Sequence, residues 1–351
     1  MQTVLVSIVG LLAVGFGNAS PARPTSSRQT PSGRVLYQHP SPADAWLEVM
    51  TDRNNGELLV TRYDAGEIWT VSPKTGKGSL VYKFPESAGV NSTIGINQYQ
   101  DDVFAFVGGR TQGGLSGGFP VQGAWGVYSL DLRGWKAGGK QEPQVSLITS
   151  IPDAMLLNGL TVLSPAIFGR KSGSTPTILV AESSTGSIFS IDTATNETSL
   201  FYSNPIMAPP AENAYPNGIN GLKLPPIDEP DYVYFTVGGF GTFYRLALAN
   251  GTAEPAPGAE PELLLDEESS LDDFTLDKHS TAYIANVGGG RVIRLTADGN
   301  RTVFLEGDIL ASATSTVLAK KKGKDVLYVS AGSRGATLEE SSPGRVIEIT
   351  F

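Results

Sequence analysis

TAYIANVGGGRVIRLTADG, Thr281 to Gly299, decides the fold of this chain. A β-branched and aromatic run meets a glycine turn, a second such run follows, and Ala-Asp-Gly ends it. This is the pattern of two strands in a hairpin, with no 3.6-residue apolar period to suggest a helix. The phrase recurs. GELLVTRY (56–63) leads to GEIWTVS (66–72), TILVAES (177–183) to GSIFSID (186–192), YVYFTVGG (232–239) to TFYRLALA (242–249), and VLYVSAG (326–332) to RVIEITF (345–351). DDVFAFVGG (101–109) and WGVYSLDL (125–132) repeat it around a Gly-rich insertion. Six copies spaced by roughly 45 to 60 residues predict an all-β, six-bladed propeller of four-stranded blades.

The last phrase reaches the chain end as a third strand. RVLYQHP, Arg34 to Pro40, is therefore expected to supply the fourth and close the ring, removing an exposed edge and tying down both ends. Independent sandwiches, the alternative for so many short strands, need no such closure. The propeller is expected over residues 34–351, after a signal peptide at 1–19 and a disordered Pro-, Ser- and Thr-rich lead-in at 20–33. The opening MQTVLVSIVGLLAVGFGNAS has an apolar run of about 12 to 15 residues ending in small side chains, too short for a membrane span.

Four sequons, at Asn91, Asn196, Asn250 and Asn300, fit a secreted glycoprotein with these asparagines on exposed turns. The sequence contains no cysteine, which excludes disulfides and thiolate chemistry. A net charge of −9 argues against nucleic acid or an anionic membrane as partner. EPAPGAEPE (254–262) and KKKGK (320–324) read as solvated loops.

The innermost strand of each blade lines a propeller's axis, so its inward residues converge from distant positions. Those strands are expected to be AWLEVMT (45–51), LLNGLTVL (156–163), NGINGLKL (217–224) and LDDFTLD (271–277). Strict alternation turns Trp46, Glu48 and Met50 to the axis, and Leu47 and Val49 into the blade stack. Asn158, Asn220 and one of Asp272 and Asp273 take the matching place. A regular strand cannot aim both aspartates inward, so the other is expected to hold a turn or a backbone N–H. Adjacent carboxylates repel and lose hydration, a cost that a cation or a bound polar ligand would offset. Asn158 and Asn220 also read as Asn-Gly turns that start their strands.

His39 and His279 read as surface residues, which disfavours a histidine base and leaves proton transfer to Glu48, Asp272, Asp273 or Tyr215. Ser116, within GLSGG (114–118), reads as a loop serine and not a nucleophile. The inserts at 111–126 and 205–218 carry Leu115, Phe119, Trp125, Ile206, Met207 and Tyr215 and predict an apolar cover over the channel mouth. Phe119, Trp125 and Tyr215 of that cover, with Trp46, Met50 and Phe274, form the expected substrate-binding set.

WLE, NGL, NGINGL, and LDDF followed by TAYIANVGGGRVIRLTADG resemble the senescence-marker-protein, gluconolactonase and luciferin-regenerating family, from about residue 42 onward. The resemblance implies a six-bladed propeller with a divalent ion on its axis, held by Glu48, Asn158, Asn220 and Asp272. Such oxygen ligands suit Ca²⁺ or Mg²⁺. Val49 and Asp273 stand where that family usually has glycine.

With SAGSRGA (330–336) and the leader, the phrasing looks most like a secreted fungal branch that includes hetero-Diels-Alderases of tropolone sesquiterpenoid biosynthesis. That likeness implies addition of a tropolone-derived quinone methide to a humulene-type alkene, closing a dihydropyran with no cofactor required. Apolar walls would hold these hydrophobic small molecules. One acid or amide among Glu48, Asp272, Asp273, Asn158 and Asn220 would polarise the reacting oxygen. The alternatives are a Ca²⁺-dependent lactonase and a non-catalytic propeller that binds a hydrophobic metabolite.

Overall fold

Six antiparallel four-stranded sheets follow one another along the chain in a computed structural model that describes residues 30–41, 45–113, 118–163, 175–227, 230–249, 254–333 and 341–351. The leader, most of the lead-in, Leu115, Ser116 and the Asn250 sequon lie outside the described residues. From the axis outward, blade one comprises Leu47–Asp52, Leu58–Arg62, Glu67–Val71 and Gly78–Lys83. Blade two comprises Ser92–Gln100, Val103–Gly109, Gly126–Asp131 and Gln144–Ser150, and blade three Leu157–Leu163, Thr177–Glu182, Ser187–Asp192 and Thr198–Ser203. Blade four comprises Ile219–Lys223, Tyr232–Val237, Thr242–Ala247 and Glu262–Asp266, and blade five Leu271–Leu276, Ala282–Asn286, Arg291–Leu295 and Arg301–Glu306. Blade six comprises Ala313–Lys321, Lys324–Ser333 and Ser342–Thr350, with Ser32–Gln38 outermost.

The hairpin phrases form the middle strands, and their composition explains it. Those strands are covered on both faces by neighbouring blades, so they carry near-continuous apolar runs such as Val103–Gly109, buried throughout. Cross-strand aromatic pairs recur between the second and third strands. Phe106 lies 5.5 Å from Tyr128, and Phe235 lies 5.4 Å from Tyr244, both stacked. Outer strands alternate instead, leaving Leu80, Leu147, Leu200, Leu263 and Val303 exposed.

The predicted closure is present, with a shifted boundary. The closing strand starts at Ser32 and not at Arg34, pairing Ser32 with Thr350 and Gln38 with Arg345. Gly33 permits the extension, because a Cβ there would lie 2.6 Å from Leu305 Cδ2. The seam is held by Glu348, whose carboxylate accepts from Arg34 Nε (3.0 Å) and Nη2 (2.9 Å), from Lys321 Nζ and from Tyr328 Oη (3.4 Å). His39 corrects the sequence reading. It is buried at this seam, its ring 4.6 Å from Trp69 and its Nδ1 accepting from the Ser41 N–H (3.1 Å), whereas His279 is exposed.

Glu348→Ala should remove this seam contact. The Arg34 side chain is 57% exposed and can rehydrate, so the cost should be about 1–2 kcal/mol and not the full price of a buried orphan charge. Deleting residues 32–38 should do more, exposing the edge at Ser342–Thr350 and producing oligomers. Thermal melting and size-exclusion chromatography of the two variants check both outcomes.

Candidate functional site

The inner strands are not regular. In blade one Leu47 faces Arg62 and the next pair is Met50 with Val60, so Glu48 and Val49 together oppose Thr61. The same two-against-one bulge sets Asn158 and Gly159 apart in blade three, Asn220 and Gly221 in blade four, Asp272 and Asp273 in blade five, and Ile94 and Gly95 in blade two. Blade six shifts register between Ala313 and Ser315, leaving Thr314 in the matching place. The backbone groups freed by the bulge find side-chain partners. Thr61 Oγ1 bonds the Val49 N–H and carbonyl (both 3.1 Å), and Thr236 Oγ1 bonds the Gly221 N–H and the Asp272 carbonyl (both 2.9 Å).

The bulge overturns strict alternation, with consequences for two predicted residues, Met50 and Phe274. Leu47 and Met50 fall on one side, and Met50 packs with Leu58, Val60 and Tyr328 in the blade core. Phe274 likewise sits in a core, edge-on to Phe243 at 4.8 Å, and Trp125 is enclosed against the backbone of Gly109. None of these three lines the axis. Glu48, Asn158, Asn220 and Asp272, brought together from four blades, are nearly buried side chains with oxygen atoms.

Both aspartates turn inward. Asp273 is 0% exposed and occupies the space left by the missing Cβ of Gly221, where an added carbon would lie 2.7 Å from Asp273 Oδ1. Its Oδ2 accepts from Ser315 Oγ (2.9 Å) and pairs with Lys223 Nζ (2.9 Å). That pairing offsets one charge.

Among the described residues no Lys or Arg side chain pairs with Glu48 or Asp272. Burial, opposed by the Trp46 hydrogen bond and reinforced by the Asp273 charge, pushes the Glu48 carboxyl up to about 8. Burial, then the charges of Glu48 and Asp273, pushes Asp272 well above the usual carboxylate range. At neutral pH the protonated form is favoured at Glu48. The Oδ1 atoms of Asn158 and Asn220 are buried without a hydrogen-bond partner, so they remain available as acceptors or ligands.

Aromatic side chains cover this ring. Trp46 Nε1 donates to Glu48 Oε2 (2.7 Å), the Trp46 ring lies 4.8 Å from Tyr63, and the Tyr63 and Tyr215 hydroxyls are 2.5 Å apart. Phe119, 50% exposed, sits 5.9 Å from Tyr215. The two inserts therefore meet over the acids, Tyr215 coming from one and Phe119 from the other. Met207 is buried in a blade core beneath its insert, and Ile206 is exposed. Tyr63 carried no sequence signal, because it closes an ordinary second strand. Asn91, Asn196 and Asn300 are exposed, although the Asn91 amide also bonds the Thr111 backbone (3.0 and 2.8 Å).

A cavity of about 1000 Å³ lies at the opposite end of the inner strands, lined by Asp52, Arg53, Leu276, Lys278, Leu318 and Lys320 among others. Volume alone would place the chemistry there. The convergent oxygens, the most strongly shifted acids and the aromatic cover are at the near end, while burial also raises Asp52 at the far end. At the far end Arg53 is paired with Asp102 and Lys320 with Asp325. Among the described residues no three His, Cys, Asp or Glu side chains gather as a metal cluster; the near-end set is two carboxyls and two amides.

No protein-family model matches the chain. A protein of Phoma sp. named "Putative hetero-Diels-Alderase" is 27% identical over 322 residues, covering 84% of this chain and 85% of its own length. A like-named protein of Sarocladium schorii is 25% identical over 264 residues, 69% of this chain and 60% of its own length. Among solved structures, luciferin-regenerating enzyme superposes with a TM-score of 0.59 at 14% identity, covering 92% of this chain and 95% of its own. Regucalcin of Agrobacterium tumefaciens, a calcium-binding protein, gives 0.59 at 15% identity over 91% and 94%. At these identities the likeness to the two structures is one of fold.

The Glu48 carboxyl has an ordinary value of 4.5 and a folded value of about 8, so the native state binds the extra proton between these limits. Its contribution to stability is full below the lower value and is lost as pH rises through the upper one. Glu48→Gln should flatten that decline. Urea denaturation at pH 5, 6.5 and 8 in the presence of EDTA, on wild type and variant, checks it; parallel profiles would contradict the shift.

Proposed function

We propose that the chain is a cyclase that promotes a hetero-Diels–Alder addition, joining a tropolone-derived quinone methide to a humulene-type alkene to form a dihydropyran. Its place of work is the secretory pathway or the extracellular space, with glycans on the exposed sequons. The observation that carries this reading is the match to the Phoma sp. protein along most of both chains. The site supports it with a buried acid pair under an aromatic cover.

In the addition one C–C and one C–O bond form, three π bonds become one, and no atom is lost. A protein needs only to hold two apolar partners in contact and to draw electron density from the heterodiene oxygen. Holding them supplies several kcal/mol, about 7 or more where alignment is good. The protonated Glu48 carboxyl can donate to that oxygen while the Trp46 indole N–H fixes its other oxygen at 2.7 Å. Asp272, pushed upward by burial and by the charges of Glu48 and Asp273, can assist loss of water from the precursor of the quinone methide.

One observation favours a second reading. The unpartnered Oδ1 atoms of Asn158 and Asn220, with the carboxyls of Glu48 and Asp272, form an oxygen-only donor set that fits a hard divalent cation. Bound there, Ca²⁺ or Mg²⁺ would supply Lewis-acid polarisation of a carbonyl, as a lactonase requires. Asp273, fixed by Lys223 and Ser315, would orient water beside it.

Supplying the alkene and a quinone methide released in the assay should give one stereoisomer of the dihydropyran, at a rate unaffected by EDTA. Glu48→Gln should lower that rate by about 100-fold, and the wild-type rate should fall as pH rises through about 8. Racemic product at the buffer rate would sink the proposal. Lactone hydrolysis abolished by EDTA would establish the second reading.

A further inference from the structure

The cover rests on the acid ring through two phenols. Tyr63 stands at the top of blade one, 3% exposed, its backbone N–H on the Trp46 carbonyl (3.0 Å) and its ring against the Trp46 indole. Its hydroxyl lies 2.5 Å from the Tyr215 hydroxyl and donates to the Gly118 carbonyl at 3.4 Å. Both contacts belong to the inserts, not to the blade. Among the described residues the Tyr215 hydroxyl has no other partner than Tyr63.

A phenol has one donor hydrogen and two acceptor lone pairs. The Gly118 contact is near the limit of a hydrogen bond, whereas the Tyr215 oxygen is 2.5 Å away and either phenol can donate there, so a Tyr63 hydrogen turned to Tyr215 is the one a ligand must win. Burial pushes Tyr63 up to about 12 and Tyr215 well above its ordinary value, which keeps both protonated. Through Trp46, whose N–H holds Glu48, the Tyr63 ring is tied to the acid assigned above to the heterodiene oxygen. A rigid donor beside that acid, capped by a residue of the cover, is placed to change partners when a ligand arrives.

We propose that Tyr63 is a substrate-contacting residue: the Tyr215 hydroxyl withdraws when ligand binds, and Tyr63 donates to the heterodiene oxygen beside Glu48. The step rests on the cycloaddition reading above. No proton is transferred. The two new bonds take their electrons from the alkene and the heterodiene, and the hydrogen bond withdraws density from the oxygen as charge accumulates there. Tyr215 is then a competitor for the Tyr63 hydroxyl as well as a wall of the site, and its bond to Tyr63 reduces apparent affinity until it opens.

Tropolone, a cyclic enol-ketone with two adjacent oxygens, is the probe, its binding read by calorimetry. Tyr63→Phe should weaken tropolone binding by about five-fold, the value of one hydrogen bond, and in the cycloaddition should lower kcat more than it raises KM. Tyr215→Phe should have the opposite sign, tightening tropolone by about two- to five-fold because it frees the Tyr63 hydroxyl. Unchanged tropolone affinity in Tyr63→Phe, or weakening of similar size in both variants, would reduce the pair to a structural bridge. Should Tyr63→Phe not fold, the sign for Tyr215→Phe decides. A wild-type protein that binds tropolone but yields no cycloadduct sinks the cyclase reading and leaves the Tyr63 contact standing; one that does not bind tropolone overturns the contact.

Discussion

One extra residue per inner strand governs this molecule's axis. A regular strand would offer a single inward side chain and send the next into the blade. The bulge turns Glu48, Asn158, Asn220 and Asp272 to the centre while Leu47 and Met50 stay together in the core. The backbone groups so released would be costly if left alone, and the hydroxyls of Thr61 and Thr236 bond them in two of the blades. The residue after each inward side chain faces the neighbouring inner strand at close range. A Cβ on Gly95 would lie 2.3 Å from the Asn158 carbonyl oxygen, and one on Gly159 lies 2.4 Å from that of Asn220, so glycine is required at both.

Val49 and Asp273 are exceptions to that glycine rule, and Asp273 is the informative one. It fits because Gly221 leaves room, and because Lys223 and Ser315 meet its carboxylate. The charge it retains then disfavours ionisation of the two acids nearby, adding to the larger effect of burial. A site with three carboxyls therefore presents itself as one ion pair and two acids whose ionisation is disfavoured. Such a site can donate hydrogen bonds to an oxygen at neutral pH, which ionised surface carboxylates cannot do.

The propeller was legible because its evidence is repeated. Six hairpin phrases and a truncated last repeat leave few alternatives, and the strand Ser32–Gln38 follows from the missing edge. The polar ring was legible for the same reason, since Asn-Gly and Asp-Asp stood at matching points of the repeat. What failed was local geometry. Met50 and Phe274 were misdirected by the assumption of two-residue alternation, and no composition signal marks a bulge in LEVMTD or LDDFTL. Trp125 sits in an insert but turns into the core. Tyr63 was invisible for another reason: its role depends on Tyr215, 152 residues later in the chain, folding back onto it.

The ring is sealed by residues 314 positions apart, Arg34 and Glu348. The earliest strand to be synthesised must therefore wait for the latest before it has a partner. Contacts of such sequence separation come at high entropic expense and are reached slowly. Five blades can assemble in the order of their appearance, but the sixth cannot be completed until Ser342–Thr350 has been made. A nascent chain short of that strand would thus hold an unfinished circle with two sticky margins, and the rate of its final stitch, not of any blade, would set how long those margins invite chaperones.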